Sequence, residues 1–221
     1  MKNRLNRTEI ISKTVKYVRK ELLGESSGHD WWHILRVWNN AKHIGKSEKV
    51  DMFVVELAAL LHDIADWKFH GGDENVGAIK AKKWLKTLDV DAKTIDHVCD
   101  IIATSSFKGA RQKTKMKTKE GEVVQDADRL DAIGAIGIGR TFAYGGHKGR
   151  EMHNPNIPPQ LGQTKEQYKS SRSNTINHFY EKLLLLKGLM NTKTAKKIAK
   201  GRHKFMEKFL NKFLDEWNGK S

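Results

Sequence analysis

Apolar residues recur along this chain at intervals of three and four, and almost nowhere in strict alternation. From Thr8 to Leu23 the stripe is Ile11, Val15, Val18 and Leu22, with Gly24 as its stop. Ser26-Ser27-Gly28 offers capping residues for a second helix over about 30–44, which carries Trp31, Trp32, Ile34, Leu35, Val37 and Trp38. A third begins at Met52, where Phe53, Leu57, Leu60, Leu61 and Ile64 keep helical period until Gly71-Gly72 marks a loop. Further helices are predicted over 75–88, 92–103 and 122–138, the last weakened by Gly134, Gly137 and Gly139. Two more close the chain, over 165–190 and 194–217, the final one with Ala195, Ile198, Arg202, Phe205, Phe209 and Phe213 along one side and mostly lysine elsewhere.

Two stretches lack any period. Residues 108–119 hold Lys108, Arg111, Lys113, Lys115, Lys117 and Lys119 with no acid until Glu120, which predicts a mobile loop. Residues 145–162 gather all three prolines, Pro155, Pro158 and Pro159, and predict a long ordered or semi-ordered loop. No strand pattern and no internal repeat is present. The pattern predicts an all-α fold in one domain over 1–221, its C-terminal helices (164–218) packed on the same unit.

Composition narrows this picture little. Hydrophobic residues make up 38%, enough for a packed core, and no apolar run approaches a membrane span. No signal-peptide core follows the basic start Met1-Lys2-Asn3-Arg4, so a cytoplasmic protein is expected. Cys99 is the one cysteine, which excludes an intramolecular disulfide and a thiolate zinc cluster. A net charge of +15 favours anionic partners, whether nucleotide, nucleic acid or membrane surface, without choosing among them.

The third helix carries the candidate chemistry. After an apolar run it delivers His62, Asp63 and Asp66 together. Ionisable groups at the edge of a core are costly unless paired or bound to a cation. His33 on the second helix and Asp128 in the run Gln125 to Asp131 are further donors, although a lone histidine ordinarily packs and a lone acid ordinarily faces water. Two imidazoles and two carboxylates suit borderline divalent ions.

Three segments, in this order, resemble one family: Gly28-His29-Asp30-Trp31-Trp32-His33-Ile34-Leu35-Arg36-Val37, then Ala59-Leu60-Leu61-His62-Asp63-Ile64-Ala65-Asp66, then Asp126 to Gly146. The chain is similar to the HD-domain metal-dependent phosphohydrolases, and most to a small bacterial single-domain subgroup. The resemblance implies a helical bundle with a metal site between helices. It implies His33, His62, Asp63 and Asp128 as ligands of one divalent ion, with manganese first and cobalt, nickel, iron, magnesium or zinc as alternatives. It also implies that Asp66, on the same helix face as the pair, orients the attacking water or moves its proton.

Substrate contacts are expected from Lys68 and His70, which follow the metal helix, and from Arg140 and Tyr144 in a segment typical of the subgroup. Arg36 and Arg129 stand beside proposed ligands and either hold phosphate or pair with an acid. One departure is Ser105, where the subgroup often has a histidine. The expected activity is nucleotide phosphohydrolysis, with a nucleoside triphosphate cleaved to release pyrophosphate as first choice and a nucleoside monophosphate phosphatase as the alternative. A nucleic-acid-binding protein on the same scaffold is the competing class. Oligomeric state is left open.

Overall fold

The computed structural model describes residues 5–24, 30–65, 76–105, 115–162 and 173–220, and every regular element among them is helical. They form α1 (Arg7–Glu21), α2 (Trp31–Gly45), α3 (Met52–Leu61), α4 (Val76–Thr87), α5 (Ala92–Ser105), α6 (Lys119–Asp131) and α7 (Gly134–His147). After the proline-bearing loop come α8 (Thr175–Glu181), a 3₁₀ helix (Leu183–Leu189) and α9 (Lys193–Trp217). The fold is all-α, as the periodicity predicts. No helix among the described residues is long and apolar enough to cross a membrane.

Contacts divide the chain into two compact units. The first comprises residues 1–106 and 114–128, and the second 107–113 and 129–221, so the boundary falls inside α6. In the first unit α3 is central and packs against α1, α2 and α5, while α4 packs on α5. Its position follows from its sequence: Val55, Leu57, Ala58, Ala59, Leu60 and Leu61 are all fully buried, and a helix apolar on every side must be surrounded. Each fully buried leucine contributes about 1.5–3 kcal/mol of transfer free energy. Tyr17 of α1 stacks on Trp84 of α4 at 4.0 Å, and the Trp84 indole N–H donates to Thr14 at 3.0 Å.

In the second unit α7 packs against α8 and α9. Its centre is aromatic, with Phe142 beside Phe179, Phe209 and Phe213 at centroid distances of 5.9–6.2 Å. His153 meets Phe213 and Trp217 edge-on, so it is packed rather than solvated as a loop histidine would be.

Several elements differ from the sequence expectation. The helix expected over 122–138 is two helices: α6 ends at Asp131, and α7 begins at Gly134 with φ +79°. Arg202 of α9 covers that glycine and donates to the Leu130 carbonyl, which closes the end of α6. The helix expected over 165–190 is also broken. Asn174 caps α8, accepting from Asn177 N at 2.9 Å, and Lys182 (φ −139°, ψ −57°) leaves helical geometry before the 3₁₀ helix; residues 165–172 lie outside the described residues.

The proline-bearing loop starts later than expected, since α7 runs to His147. It is pinned by Asn177, which donates to Ile157 O at 2.7 Å, and by the buried Glu181, which accepts from Gln160 N at 3.0 Å and Ser173 Oγ at 2.8 Å. The lysine-rich loop over 108–119 lies outside the described residues as far as 114. Beyond it, Met116 is buried and α6 starts at Lys119. On α9 the buried line is Ala195, Ala199, His203, Met206 and Leu210, and Phe205 is 51% exposed rather than part of it.

Candidate metal centre

His33 enters the site from the first turn of α2. The cap of that helix is Asp30 rather than the upstream serines: its carboxylate accepts from His33 N at 2.8 Å. Capping fixes where α2 begins, and hence which face carries His33, whose side chain is 1% exposed. Tryptophans flank it unequally, with Trp31 buried and Trp32 58% exposed, so Trp32 is not part of the core.

The expectation that His62 and Asp63 lie within a helix is corrected by one turn. Helix α3 ends at Leu61, and His62 is the first residue beyond it, still in αR geometry, with Ile64 N donating back to Leu61 O at 3.2 Å. The histidine therefore stands where carbonyl groups lack intrahelical partners. Its Nδ1 lies 2.9 Å from Ala59 O. A carbonyl only accepts, so Nδ1 carries the hydrogen and the neutral ring presents a lone pair at Nε2.

That lone pair faces three other donors. His33 Nε2 is 3.3 Å from His62 Nε2. Asp63 Oδ2 is 3.4 Å from His33 Nε2 and 3.5 Å from His62 Nε2. Asp128 Oδ1, from α6, is 3.6 Å and 4.0 Å from the same two nitrogens. Asn40 of α2 donates to Ala127 O at 3.3 Å, tying α6 to α2 beside Asp128. All four ligand candidates lie in the first unit.

These spacings fit a coordinated cation better than a hydrogen-bonded set. Nitrogen-to-oxygen hydrogen bonds centre near 2.9 Å. Around an ion with bonds of about 2.1 Å, neighbouring ligand atoms stand about 3.0–3.4 Å apart. Two carboxylates and two imidazoles that converge on one point are mutually repulsive or indifferent until positive charge is placed among them. His33, His62 and Asp128 alone already bring their ligand atoms within 4.8 Å of one another. The set is open on one side: the imidazoles are 1% and 5% exposed, against 27% for Asp63 and 41% for Asp128.

Asp66, Lys68 and His70 lie outside the described residues. Arg140 and Tyr144 belong to the second unit. There the Arg140 guanidinium donates to the buried Asp131 carboxylate at 2.7 Å, while Tyr144 is 43% exposed with Lys148 and Arg150 each 5.7 Å from its ring centroid. Arg129 donates to the Leu189 carbonyl, within the same unit. Three supporting groups escape the motif reading: the Asp30 cap, the Ala59 carbonyl and Asn40. Asp30 carried a signal, an N-cap residue three positions before a histidine. A backbone carbonyl carries none.

Comparison with known proteins agrees with the geometry. Residues 31–133 match the model of the HD domain. YpgQ of Bacillus subtilis is 40% identical over 191 residues, which cover 86% of this chain and 85% of that protein. A crystal structure of an HD-superfamily hydrolase from Bacillus thuringiensis superposes with TM-score 0.77 and 46% identity, covering 96% of this chain and 99% of that one. YpgQ in complex with ADP superposes with TM-score 0.72 and 34% identity, covering 93% and 96%. With the matched segment holding the whole donor set, and with relatives aligned over nearly the full length, this chain belongs to the HD-domain superfamily.

Proposed function

We propose that this protein is a divalent-metal-dependent phosphohydrolase acting on a nucleotide, with a nucleoside triphosphate cleaved to release pyrophosphate as the leading case. One observation carries the reading: two imidazoles and two carboxylates converge at the end of α3, within an HD-domain fold and open to solvent on the carboxylate side. The solved complex of YpgQ with ADP supports a nucleotide as the ligand class.

His33, His62, Asp63 and Asp128 would hold the ion. When bound, a divalent cation supplies a water of lowered pKa and neutralises charge on the phosphoryl oxygens. The chain's own contribution is positional. The Ala59 carbonyl holds His62 in the tautomer that binds metal, and the Asp30 cap fixes the register of His33. Asp66 is assigned to orient the attacking water or to move its proton. Lys68, His70, Arg140 and Tyr144 are assigned to the phosphates and the rest of the substrate. Manganese suits the mixed nitrogen and oxygen donors and tolerates an open coordination position.

The test uses metal-stripped protein given manganese, cobalt, nickel, magnesium or zinc in turn, with phosphate and pyrophosphate release measured over a nucleotide panel. Turnover is expected to return with metal and to fall on the order of 10³-fold in Asp63→Ala, with calorimetric loss of the bound ion in the same variant. Pyrophosphate among the products identifies the triphosphate reaction. An ion bound tightly by the four residues without phosphate or pyrophosphate release from any nucleotide would overturn the reading.

A further inference from the structure

Helix α9 has a second face that the metal centre does not explain. Its inner side, Ala195, Ala199, His203, Met206 and Leu210, is buried, and its outer side is basic. Lys196, Lys200, Lys204, Lys208 and Lys212 follow one another at intervals of four, and Lys193 and Lys197 fall on the same side. At about 100° per residue these seven lysines occupy an arc of about 160° centred on Lys204. All are exposed, and no acid occurs from Lys193 to Met206. Among the described residues one of them meets a carboxylate, Lys212 with Glu216 at 3.4 Å. Ordinary solvated helices intersperse both signs four residues apart, because like charges at that spacing repel. Here no acid stands three or four residues from Lys193, Lys196, Lys197 or Lys200, and Glu207, which enters the arc beside Lys204, faces His203 at 3.2 Å.

Two further features sit on the same face. Gly201 lies in the middle of a 25-residue helix, where glycine is unfavourable relative to alanine. No neighbour requires it, since a Cβ there would meet nothing within 4 Å. Its missing side chain leaves open space on the exposed face between Lys197 and Lys204. Four residues on is Phe205, 51% exposed although it is a large aromatic.

We propose that this face of α9 binds single-stranded nucleic acid, with the lysine ladder along the phosphates and a base lying over Gly201 against the Phe205 ring. From Lys196 to Lys212 the ladder spans about 24 Å, a regular linear array suited to a linear polyanion rather than to one small anion. An amphipathic membrane helix inserts its apolar side into lipid, and here that side is buried in the protein's own core. An exposed aromatic among cations is the device that selects unpaired bases, since a base in a duplex keeps its face stacked.

The test is fluorescence anisotropy of the full chain with a labelled oligothymidylate, in chelator so that the metal centre is silent. Binding is expected, with log Kd against log salt rising at a slope of about 4, as about five to seven neutralised phosphates on a single strand require. The triple variant K200Q/K204Q/K208Q should bind at least about tenfold more weakly and lower that slope by about two. Phe205→Ala and Gly201→Leu should each weaken binding several-fold while leaving the metal-dependent turnover intact, Phe205→Ala with its circular-dichroism melt unchanged and Gly201→Leu with a melt unchanged or raised. Equal affinity for a duplex of the same length would overturn the single-strand assignment. Binding to vesicles containing phosphatidylglycerol without binding to the oligonucleotide, unaltered affinity in the triple variant, or no binding even at low salt would each overturn the proposal.

Discussion

The start of α2 and α3 and the junction between α6 and α7 mark their helix ends by different means. Asp30 and Asp51 each accept a backbone N–H two or three residues ahead, so the signal that begins the helix lies within the same turn. At the α6–α7 junction the residue before α7 is Ile133, which makes no side-chain cap bond. Its work is done from 70 residues away. Arg202 lays its aliphatic stem on Gly134 and gives its guanidinium to Leu130 O, while Arg140 reaches back to Asp131. Three of the four ligand candidates stand at elements of the first kind, two following α3 and one following the Asp30 cap, while Asp128 sits in the last turn of α6. Short-range rules thus place His33, His62 and Asp63, and long-range contacts fasten the second unit.

The largest effect expected from this contrast is at Gly134. Its φ of +79° is a conformation that L-residues avoid, and a Cβ would come within 2.9 Å of Arg202 Cγ. Gly134→Ala should cost about 2–4 kcal/mol, the sum of left-handed strain and displacement of the arginine. Gly139→Ala is the matched control, because that glycine is exposed within α7 and a Cβ there meets nothing. It should stabilise by up to about 1 kcal/mol. Urea unfolding of the pair decides the point, and equal effects would show that the junction is held locally after all.

This difference also governs what could be read from the sequence. Helix existence was legible nearly throughout, because burying one stripe requires a period of 3.6 residues whatever the partner. His62 and Asp63 stand out in the sequence as ionisable groups at the end of an apolar helix, whereas His33 and Asp128 join them through the family resemblance and not through any local conflict. The break at Gly134 was not legible, since glycine there reads as a weak point in one helix until Arg202 is known to sit on it. Phe205 was misplaced for a related reason. Its spacing from Phe209 and Phe213 matches the aromatic stripe, but the burial of Ala199, His203 and Met206 rotates the inner face away from it. The Ala59 carbonyl that sets the His62 tautomer is backbone and has no sequence signature.

A middle-sized effect concerns charge. The candidate metal centre gathers ionisable groups at an opening, whereas His178 in α8 is half-buried and desolvated, with Lys182 and Arg150 nearby. Burial, aided by those two cations, lowers its pKa to about 3. A base whose folded pKa is depressed is neutral in the native state but takes up a proton on unfolding below about pH 6.5. Its contribution therefore leaves stability intact at pH 7.5 and erodes it as pH falls from about 6.5 towards 3. At pH 5 the loss is about 2 kcal/mol. His178→Gln should flatten the pH dependence of the urea midpoint between 7.5 and 5 by that amount. An unchanged slope in the variant would mean that the imidazole is protonated in the fold.

The smallest effect tests the local side of the contrast by itself. Asn6 and Glu9 form a reciprocal cap on α1: the Asn6 side chain accepts from Glu9 N at 3.0 Å, and the Glu9 carboxylate accepts from Asn6 N at 2.8 Å. Both groups are exposed, so removing either leaves nothing buried without a partner. Asn6→Ala should cost about 1 kcal/mol, a fall in Tm of about 2–4 °C for a chain of this length, and Asn6→Ser should restore most of it. The rescue is the informative half, because serine keeps the acceptor and discards the amide. If serine behaved like alanine, the cap would owe its worth to contacts beyond its own turn. The first unit would then be fastened in the same long-range manner as the second.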